Sequence, residues 1–332
     1  MIFGFLVAHN NKNRVFEMAS SDRLSPLQQE GFLVCPSCRS SLHFEEAGWL
    51  CEREQLRFAV TAGVPDFILP SRRPGIERFL AYYQSVRNAE GWSIEDRESF
   101  FRLPYPQGSH PFRKLWRLRA ASYESLSSQL QQRSDFRKLN ILDLGAGNCW
   151  MAYRLAGEDR RIVAVDVNLD PLDGLGVPTT VLEKENPSVV RIQAEYEFLP
   201  FPEGSFDIVY FNASLHYSPD PVSTILQTFR LLKEKGTMFI VDSPLYHDPE
   251  SGRRMIAERQ DSYRTKYGIE LPDDLAGGFL SYGQLDQLKQ QCSVQLMEPE
   301  YGFLWNFRPV LARLLGRREP ATFRLIKIQH TD

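Results

Sequence analysis

The sequence has no large excess of charge of either sign. Its 332 residues include 39 Lys and Arg against 42 Asp and Glu, a formal net charge of −3. Proteins that bind nucleic acid over a broad surface usually carry a basic excess, so this balance argues against such a surface. Short basic clusters exist, as in RKLWRLR over 113–119, and we interpret them as solvated helix faces.

Long apolar runs are also missing. No stretch approaches the ~18 residues that a membrane-spanning helix needs, so none is predicted. Residues 1–30 lack the basic start and the small-residue cleavage site of a signal peptide, and we predict a disordered tail there, with Met18 as an alternative start. Cysteine is scarce, because the chain has 5 and three of them crowd into 35–51. That pattern excludes an even disulfide framework and favours the reducing cytoplasm.

What is present is a change of pattern along the chain. Residues 31–72 alternate short β-like runs with turn signals, and 73–135 have the helical spacing of apolar residues expected for a helical linker or lid. The tyrosines at 82–83 and the segment WRLRAASY (116–123) are candidate lid residues, and packing in a helical core is the alternative. From 136 to 332 strands and helices alternate. That alternation is typical of an α/β fold with a doubly wound, mostly parallel sheet.

A glycine-rich turn follows the first of these strands, in LNILDLGAGNCW (139–150). Gly145 and Gly147 allow the backbone to turn tightly, and Asp166 ends the second strand, where an acidic group can accept hydrogen bonds from a ribose. Trp150 stands where a dinucleotide site has its third small residue, and no Lys-Ser/Thr pair follows for a phosphate loop. The pattern favours a ligand with a ribose and no phosphates, such as S-adenosylmethionine (SAM).

Five segments in order resemble the class I SAM-dependent methyltransferases, in the branch of the ubiquinone/menaquinone C-methyltransferases. They are DLGAGNC (143–149), with Cys149 in place of the third glycine, then AVDV (164–167), and QAEYEFLPFPEGSFDIVYFNASLHY (193–217), which contains two motifs, followed by RLLKEKGTMFIVDSP (230–244). The resemblance implies a Rossmann-like sheet of seven strands and a SAM cofactor.

The resemblance also implies cofactor-binding residues. The glycine loop would line the methionine part, Asp166 would hold the ribose, Glu195 would accept from the adenine amino group and the Tyr196 backbone N–H would face the ring. The full implied set is Asp143, Gly145, Ala146, Gly147, Asp166, Val167, Glu195, Tyr196 and Asn212.

The segment FNASLHYSPD (211–220) leaves the fourth strand at the edge of the cofactor crevice. We take His216 and Tyr217 as candidate catalytic residues, because an unperturbed imidazole titrates near neutral pH and can act as a base. Two other roles for His216 stay open, a contact to the cofactor or acceptor and a structural hydrogen bond.

The N-terminal cysteines resemble a zinc ribbon of the kind that precedes some methyltransferases. Cys35 and Cys38 form one C-x-x-C pair, and the second pair is broken, because Cys51 is followed by Glu54 in the fourth position. A closed zinc site needs four ligands. The set Cys35, Cys38, Cys51 and Glu54, a contribution from His43, and loss of the metal are the three alternatives.

Three functions compete. The leading one is a cytoplasmic SAM-dependent methyltransferase with a small-molecule acceptor. The second is an rRNA guanine methyltransferase that holds RNA with the ribbon, and the third is a non-catalytic SAM-binding module. Because one fold hosts many substrates, the sequence does not identify the acceptor, and it gives no oligomeric state.

Overall fold

The computed structural model describes residues 24–331 apart from 26, 30, 46, 47, 109, 271 and 273–276. Most of the tail predicted over 1–30 therefore lies outside the described residues. Within that range, Leu24 and Leu27 are buried in the same core as the main sheet. The packed part of the chain thus begins before residue 31.

A seven-stranded sheet forms the centre of the molecule, in the order β12-β13-β9-β8-β5-β6-β7. Strands β5 to β9 are parallel, and β13 is antiparallel to both β9 and β12. The predicted doubly wound, mostly parallel sheet is confirmed. Its strands are β5 (Asn140–Leu144), β6 (Arg161–Asp166), β7 (Val189–Gln193), β8 (Phe206–Asn212), β9 (Leu232–Val241), β12 (Ser293–Met297) and β13 (Leu325–Gln329).

Both faces of this sheet are buried, which explains why its strands are nearly continuous apolar runs. Alternate residues belong to two separate cores, so that Leu142 and Leu144 face one way and Ile141 the other. The chain runs outward from β5 to β7 and then returns to β8, next to β5. Ligands bind in the crevice at such a switch point, outside the carboxyl ends of the strands.

Helices cover each face. On the Ile141 face lie α2 (Arg97–Arg102), α3 (Arg113–Gln131) and α4 (Trp150–Leu155), and on the other lie α6 (Pro221–Phe229) and α8 (Tyr282–Leu288). The remaining helices are α1 (Arg73–Glu90), α5 (Val177–Val181), α7 (Pro249–Tyr267), α9 (Phe303–Asn306) and α10 (Arg308–Leu314). None of the helices in the described ranges is long and apolar enough to span a membrane.

Helix starts follow the capping signals in the sequence. Asp96 accepts from the Ser99 backbone N–H at the start of α2, and Ser281 with Gln284 forms a capping box at the start of α8. A short parallel pair, β10 (Leu245–Tyr246) with β11 (Leu280–Ser281), brackets α7. Strand β10 follows β9 closely in the chain, so this pair lies near the carboxyl edge of the main sheet.

The N-terminal part is a four-stranded antiparallel sheet, β1 (His43–Glu45), β2 (Gly48–Cys51), β3 (Leu56–Thr61) and β4 (Val64–Pro65). Its end joins the main sheet, because the Phe67 N–H donates to the Gln193 carbonyl at 2.8 Å and Asp66 makes a parallel bridge to Gln193. Arg39 also donates to the carbonyls of Leu199, at 2.7 Å, and Phe201. The small sheet thereby covers the β7 edge, which would otherwise be open to pairing.

Candidate functional site

The glycine loop after β5 has a shape that only small residues permit. Gly145 and Gly147 have φ of 72° and 53°, in the left-handed region that favours glycine. A Cβ on Gly145 would collide with the side chains of Ser214 and Tyr196. The N–H groups of Gly145 and Ala146 both donate to the Val165 carbonyl, at 2.8 and 3.0 Å, which holds the loop against β6.

Asp166 lies at the carboxyl end of β6, directly beside this loop. Its two carboxylate oxygens accept from the backbone N–H of Gly147 at 2.8 Å and of Asn168 at 2.9 Å. Burial raises the pKa of Asp166, although these hydrogen bonds oppose the rise. A carboxylate has about four lone-pair sites, so the two oxygens keep acceptor capacity for ribose hydroxyls.

Several buried polar atoms near the carboxyl edge have no hydrogen-bond partner among the described residues. Asp143 Oδ1, Asn212 Oδ1 and Asp242 Oδ2, on or just after β5, β8 and β9, are three of them. Each such atom left unpaired costs about 1–3 kcal/mol, so a polar ligand that satisfied some of them would be favoured. Burial also raises the pKa of Asp143 to about 8. The glycine cradle and the Asp166 acceptor together fit a nucleoside ligand such as SAM.

Glu195 is buried and already has a partner. Its carboxylate accepts from Arg72 Nε at 3.1 and 3.2 Å and from Arg72 Nη2 at 2.9 Å. An adenine amino group would therefore share these oxygens with Arg72, which precedes α1. In the sequence Arg72 ends the 31–72 segment, and no role is predicted for it, because one charge in a charged stretch carries no distinguishing signal.

Tyr196 reaches the crevice with its side chain as well as its backbone. Its hydroxyl donates to the Ser214 carbonyl at 3.4 Å and lies beside Gly145, and its ring packs edge-on against Phe211 with centroids 5.4 Å apart. The Val167 carbonyl accepts from Gln193 Nε2 at 2.8 Å. All the residues that the resemblance implies for the cofactor lie along the ends of β5 to β8.

Helix α1 lies over this crevice. The rings of Phe79 and Tyr83 pack against Tyr217, with centroids 5.9 and 5.7 Å apart. Arg87, one turn further, pairs with Asp173 at 2.7 Å. Helix α1 thus reaches the turn after β8, and its role as the lid suggested by the tyrosine pair stays a prediction.

His216 and Tyr217 occupy a single 3-10 turn after β8. Burial, with the positive charges of Arg259 and Arg119, lowers the pKa of His216 to about 3. The ring is therefore neutral at physiological pH, and its low proton affinity makes it a weak base. Its Nδ1 is buried without a hydrogen-bond partner in the described part of the chain.

On the β9 side the crevice has a wall in which Asp242, from the segment RLLKEKGTMFIVDSP (230–244), meets two residues that the resemblance did not indicate. Ser122 on α3 donates to Asp242 Oδ1 at 2.5 Å, and its hydroxyl lies 2.7 Å from the Tyr301 hydroxyl. Asp242 follows β9 with φ of 53°. These residues come from three distant parts of the chain, which is why sequence spacing gave no signal for them.

The N-terminal cysteines form a separate cluster. The sulfur atoms of Cys35, Cys38 and Cys51 lie within 4.8 Å of one another, and the Cys38–Cys51 distance is 3.6 Å. Tetrahedral zinc with Zn–S bonds of ~2.3 Å places sulfurs ~3.8 Å apart, so this spacing suits zinc. The structure does not bring Glu54 into the cluster, because that carboxylate accepts from Ser37 Oγ at 2.8 Å.

Ser40 lies where a fourth ligand would be expected. Its hydroxyl oxygen is 3.0 Å from Cys38 Sγ and 3.3 Å from Cys51 Sγ. His43, the other candidate, is exposed on β1 and lies outside the cluster.

Comparisons with known proteins agree with this geometry. Residues 142–240 match the family described as Methyltransferase domain. An arsenite methyltransferase of Aquipseudomonas alcaligenes is 27% identical over 205 residues, which are 57% of this chain and 54% of that protein. The uncharacterized methyltransferase YcgJ of Bacillus subtilis is 28% identical over 110 residues, 33% of this chain and 42% of that protein. The chain spans about half the length of these curated relatives.

A wider match is an uncharacterized chloroplastic methyltransferase of Arabidopsis thaliana, 24% identical over 80% of this chain and 69% of that protein. Among solved structures, a protein from Galdieria sulphuraria described as a putative sarcosine dimethylglycine methyltransferase gives a TM-score of 0.47. It is 16% identical over 78% of this chain and 99% of that one. The family match gives a methyltransferase domain over residues 142–240, and the sheet order and the glycine loop are those of the class I SAM-dependent methyltransferases, whose cofactor is SAM.

Proposed function

We propose that the protein transfers the methyl group of SAM to a small-molecule acceptor. The acceptor would bind between the ends of β8 and β9 and the helices α1 and α3. The observation that carries this proposal is the group of buried polar atoms without partners on that side, from Asn212, His216 and Asp242. Two relatives are named for small molecules, arsenite and 27-O-demethylrifamycin SV, which supports the same class of acceptor.

SAM when bound supplies a methyl group on a sulfonium, already activated for in-line displacement. The chain's own part is then alignment of the acceptor and exclusion of water. Gly145 and Gly147 would hold the methionine part along their backbone, and Asp166 would hold the ribose. The α1 lid, through Phe79 and Tyr83 against Tyr217, would keep water from the reacting atoms.

For His216 we favour the role of a contact in the pocket. A ring with a pKa of about 3 gains little by taking a proton. Its neutral Nδ1 can still exchange a hydrogen bond with a ligand. Tyr217 would act with it as a wall of the acceptor pocket.

RNA is the less favoured acceptor. The N-terminal sheet is fixed to the β7 edge through Phe67 and Arg39, whereas the unpartnered atoms lie at β8 and β9 on the other side of the switch point. A ribbon in that place would hold RNA away from the acceptor side. The net charge of −3 adds no support for it.

Isotope transfer tests the proposal directly. The protein is incubated with cell extract and SAM labelled in its methyl group, and the label is then traced by mass spectrometry in the metabolite and RNA fractions. Heat-denatured protein is the control. We expect label in the metabolite fraction. Label confined to RNA would overturn the small-molecule acceptor, and bound SAM without any transfer would favour the non-catalytic module.

We also propose that the ribbon binds one zinc ion through Cys35, Cys38 and Cys51. Metal analysis of untagged protein should find zinc in the wild type and little in Cys35→Ser. Because Glu54 bonds to Ser37, Glu54→Gln should keep its zinc, and Ser40→Ala tests the nearer hydroxyl. Equal zinc loss in Glu54→Gln and Cys35→Ser would restore Glu54 as the fourth ligand.

A further inference from the structure

Arg119, beside the crevice, makes no ion pair with an acidic residue in the described part of the chain. Arg119 lies on α3 with its guanidinium over the rings of Trp116 and Trp92, 4.8 and 5.5 Å from their centroids. Its Nε is buried, and within the described ranges no hydrogen bond or ion pair reaches this side chain. The carboxylate of Asp242 lies near enough for its charge to raise the pKa of Arg119, against the lowering by burial, but it is not within ion-pair distance and accepts instead from Ser122.

Its neighbour Arg87 shows the usual arrangement. That guanidinium also stacks on Trp92, 3.9 Å from the centroid, but Asp173 neutralises it through two hydrogen bonds. Removing a charge from water without a partner costs several kcal/mol in proteins. Such an arginine is therefore more stable when a ligand brings the missing negative charge.

We propose that Arg119 binds a carboxylate or phosphate group of a ligand in the crevice. Arginine suits either group, because its planar fork donates two parallel hydrogen bonds. This inference rests on the proposed function, and the anion has two possible sources, the methyl acceptor and the methionine carboxylate of SAM. His216, whose Nδ1 is free of protein hydrogen bonds in the described part, lies near enough for the charge of Arg119 to act on it.

The test compares Arg119→Gln with Arg117→Gln, an exposed arginine on the same helix. Calorimetry with SAM and with methylthioadenosine, which lacks the carboxylate, tests whether the anion is the methionine carboxylate of SAM. Tryptophan fluorescence of the protein saturated with S-adenosylhomocysteine, titrated with benzoate and phenyl phosphate, examines the acceptor source. Because an unpaired charge is removed, Arg119→Gln should melt at the same temperature as the wild type or higher.

If the acceptor brings the anion, Arg119→Gln loses the benzoate or phenyl phosphate response about tenfold and keeps its SAM affinity. If SAM brings the anion, the affinity of Arg119→Gln for SAM falls about tenfold and its affinity for methylthioadenosine does not change. Unchanged affinities for all four ligands, or a clear loss of melting temperature, would overturn the anion site. Failure of the wild type to bind SAM at all would instead contradict the proposed function.

A second, independent observation concerns the surface after Tyr301. Seven large apolar side chains are exposed there: Phe303 78%, Leu304 84%, Phe307 42%, Val310 49%, Leu311 48%, Leu314 74% and Leu315 54%. Backbone hydrogen bonds from Phe307 to Phe303 and from Leu311 to Phe307 continue the helical ladder from α9 into α10. We call these seven residues the C-terminal apolar face.

The spacing places them on one side of the helix. Positions 303, 307, 310, 311 and 314 recur every three or four residues, which is the period of a single helical stripe. The opposite side is anchored to the protein, because Trp305 stacks on Phe323 with centroids 5.6 Å apart. The C-terminal apolar face is therefore held outward by packing behind it.

The charged residues within this segment of the chain are of one sign. Residues 302–318 contain four arginines and no acidic residue, although the whole chain has a net charge of −3. Arg313 and Arg317 are exposed, and no ion pair in the described ranges involves them. An apolar helical stripe flanked by arginines is the pattern of a helix that lies in the interface of an anionic membrane.

We infer that the C-terminal apolar face inserts into the headgroup region of an anionic lipid bilayer. Its position would bring the crevice close to the membrane, since Tyr301, next to the face, contacts Ser122 in the crevice wall. Insertion would remove the exposed apolar side chains from water, and Arg313 and Arg317 would lie among lipid phosphates. This surface contact needs no membrane-spanning helix.

Vesicle co-sedimentation of the full chain tests this inference. Vesicles of phosphatidylcholine with phosphatidylglycerol should bind the wild type, and pure phosphatidylcholine should bind it about tenfold less. The double variant Leu304→Glu with Leu314→Glu should lose binding, whereas Leu296→Glu, an exposed leucine on β12, should keep it. Arg313→Gln with Arg317→Gln should remove the preference for the anionic lipid.

Two outcomes would overturn the membrane assignment. One is equal sedimentation of the wild type and the double leucine variant with anionic vesicles. The other is a dimer in gel filtration that the double variant converts to a monomer, with no binding to vesicles, because the face would then pair two copies of the chain.

Discussion

The two sides of the crevice differ in how their polar groups are satisfied. On the β5–β6 side, the loop N–H groups bond to Val165 and Asp166, so the loop is held in shape by the protein itself, although Asp143 Oδ1 on β5 also lacks a partner among the described residues. On the β8–β9 side, polar atoms of Asn212, His216 and Asp242 are buried without partners in the described chain. A preformed site suits a constant ligand such as the cofactor, and an unsatisfied one suits a group that arrives with the acceptor.

The largest effect that would sharpen this contrast comes from Gly145→Ala. The new Cβ would collide with Ser214 and Tyr196 in a residue of φ 72°. We expect SAM affinity to fall about a hundredfold or more, because the loop must move away from its β6 hydrogen bonds. Calorimetric titration with SAM measures the loss.

The control is Gly204→Ala, where φ is 67° and a Cβ meets no atom within 4 Å. That variant should lose about 1–2 kcal/mol of unfolding free energy, because alanine is strained in the left-handed backbone conformation, and it should keep its SAM affinity. If both variants reduced the affinity for SAM equally, the loss would come from a less stable fold and not from a changed shape of the glycine loop.

The next prediction compares substitutions of one acidic residue on each side of the crevice. Asp166→Ala should weaken SAM about tenfold, since the ribose acceptor and the Gly147 contact are both lost. Asp242→Asn should leave SAM affinity within about twofold and reduce turnover, because it changes only the β9 side. Asp159→Ala, an exposed acid, serves as the reference.

Calorimetry gives the affinities, and single-turnover transfer from labelled SAM gives the rates. An unchanged SAM affinity in Asp166→Ala would remove the ribose assignment. A loss of SAM affinity in Asp242→Asn as large as in Asp166→Ala would erase the distinction between the two sides.

A smaller effect should appear in the pH dependence of stability. His216 has an ordinary pKa of 6.5 when unfolded and about 3 when folded, so the unfolded chain binds a proton more readily. The contribution of the neutral His216 ring to the unfolding free energy is fully present above pH 6.5. It is lost as the pH falls from 6.5 toward 3, because the unfolded chain takes up a proton there and the folded chain does not. Between pH 6.5 and 5 the loss is about 2 kcal/mol.

Urea denaturation at pH 7 and at pH 5 measures this change in the unfolding free energy. His216→Asn should reduce the difference in unfolding free energy between the two pH values by about 1–2 kcal/mol. His43→Asn, on an exposed strand, should not. An identical pH difference in wild type and His216→Asn would mean that the imidazole is hydrated, and its role as a weak base would need revision.

The sequence indicated the residues of the preformed side and their arrangement, and on the other side it indicated Asn212 and His216 but not the contacts that Asp242 makes with Ser122 and Tyr301. The glycine loop and Asp166 are readable because backbone geometry and strand ends dictate the residue types there. Ser122 lies 120 positions from Asp242 and 179 from Tyr301, so only the folded chain brings them together. The spacing of Glu54 suggested a metal ligand, but spacing cannot tell that its carboxylate accepts from Ser37.

The smallest effect concerns the border between the cofactor side and the N-terminal part. Arg72 fixes Glu195 with three hydrogen bonds, yet its own side chain is 48% exposed, so the ion pair contributes less than about 1 kcal/mol to stability. Arg72→Gln should weaken SAM about threefold, because the carboxylate that we assign to the adenine amino group loses the partner that orients it.

Arg73→Gln is the matched control, since that neighbour pairs with Asp66 at 2.7 Å and does not touch Glu195. If Glu195 faces the adenine, only Arg72→Gln should alter SAM affinity, and Glu195→Gln should alter it further. Tighter SAM binding by Arg72→Gln would show that the arginine competes with the adenine for Glu195. The β5–β6 side would then include an ion pair that the cofactor must displace. That side would be less fully preformed, and therefore less different from the β8–β9 side.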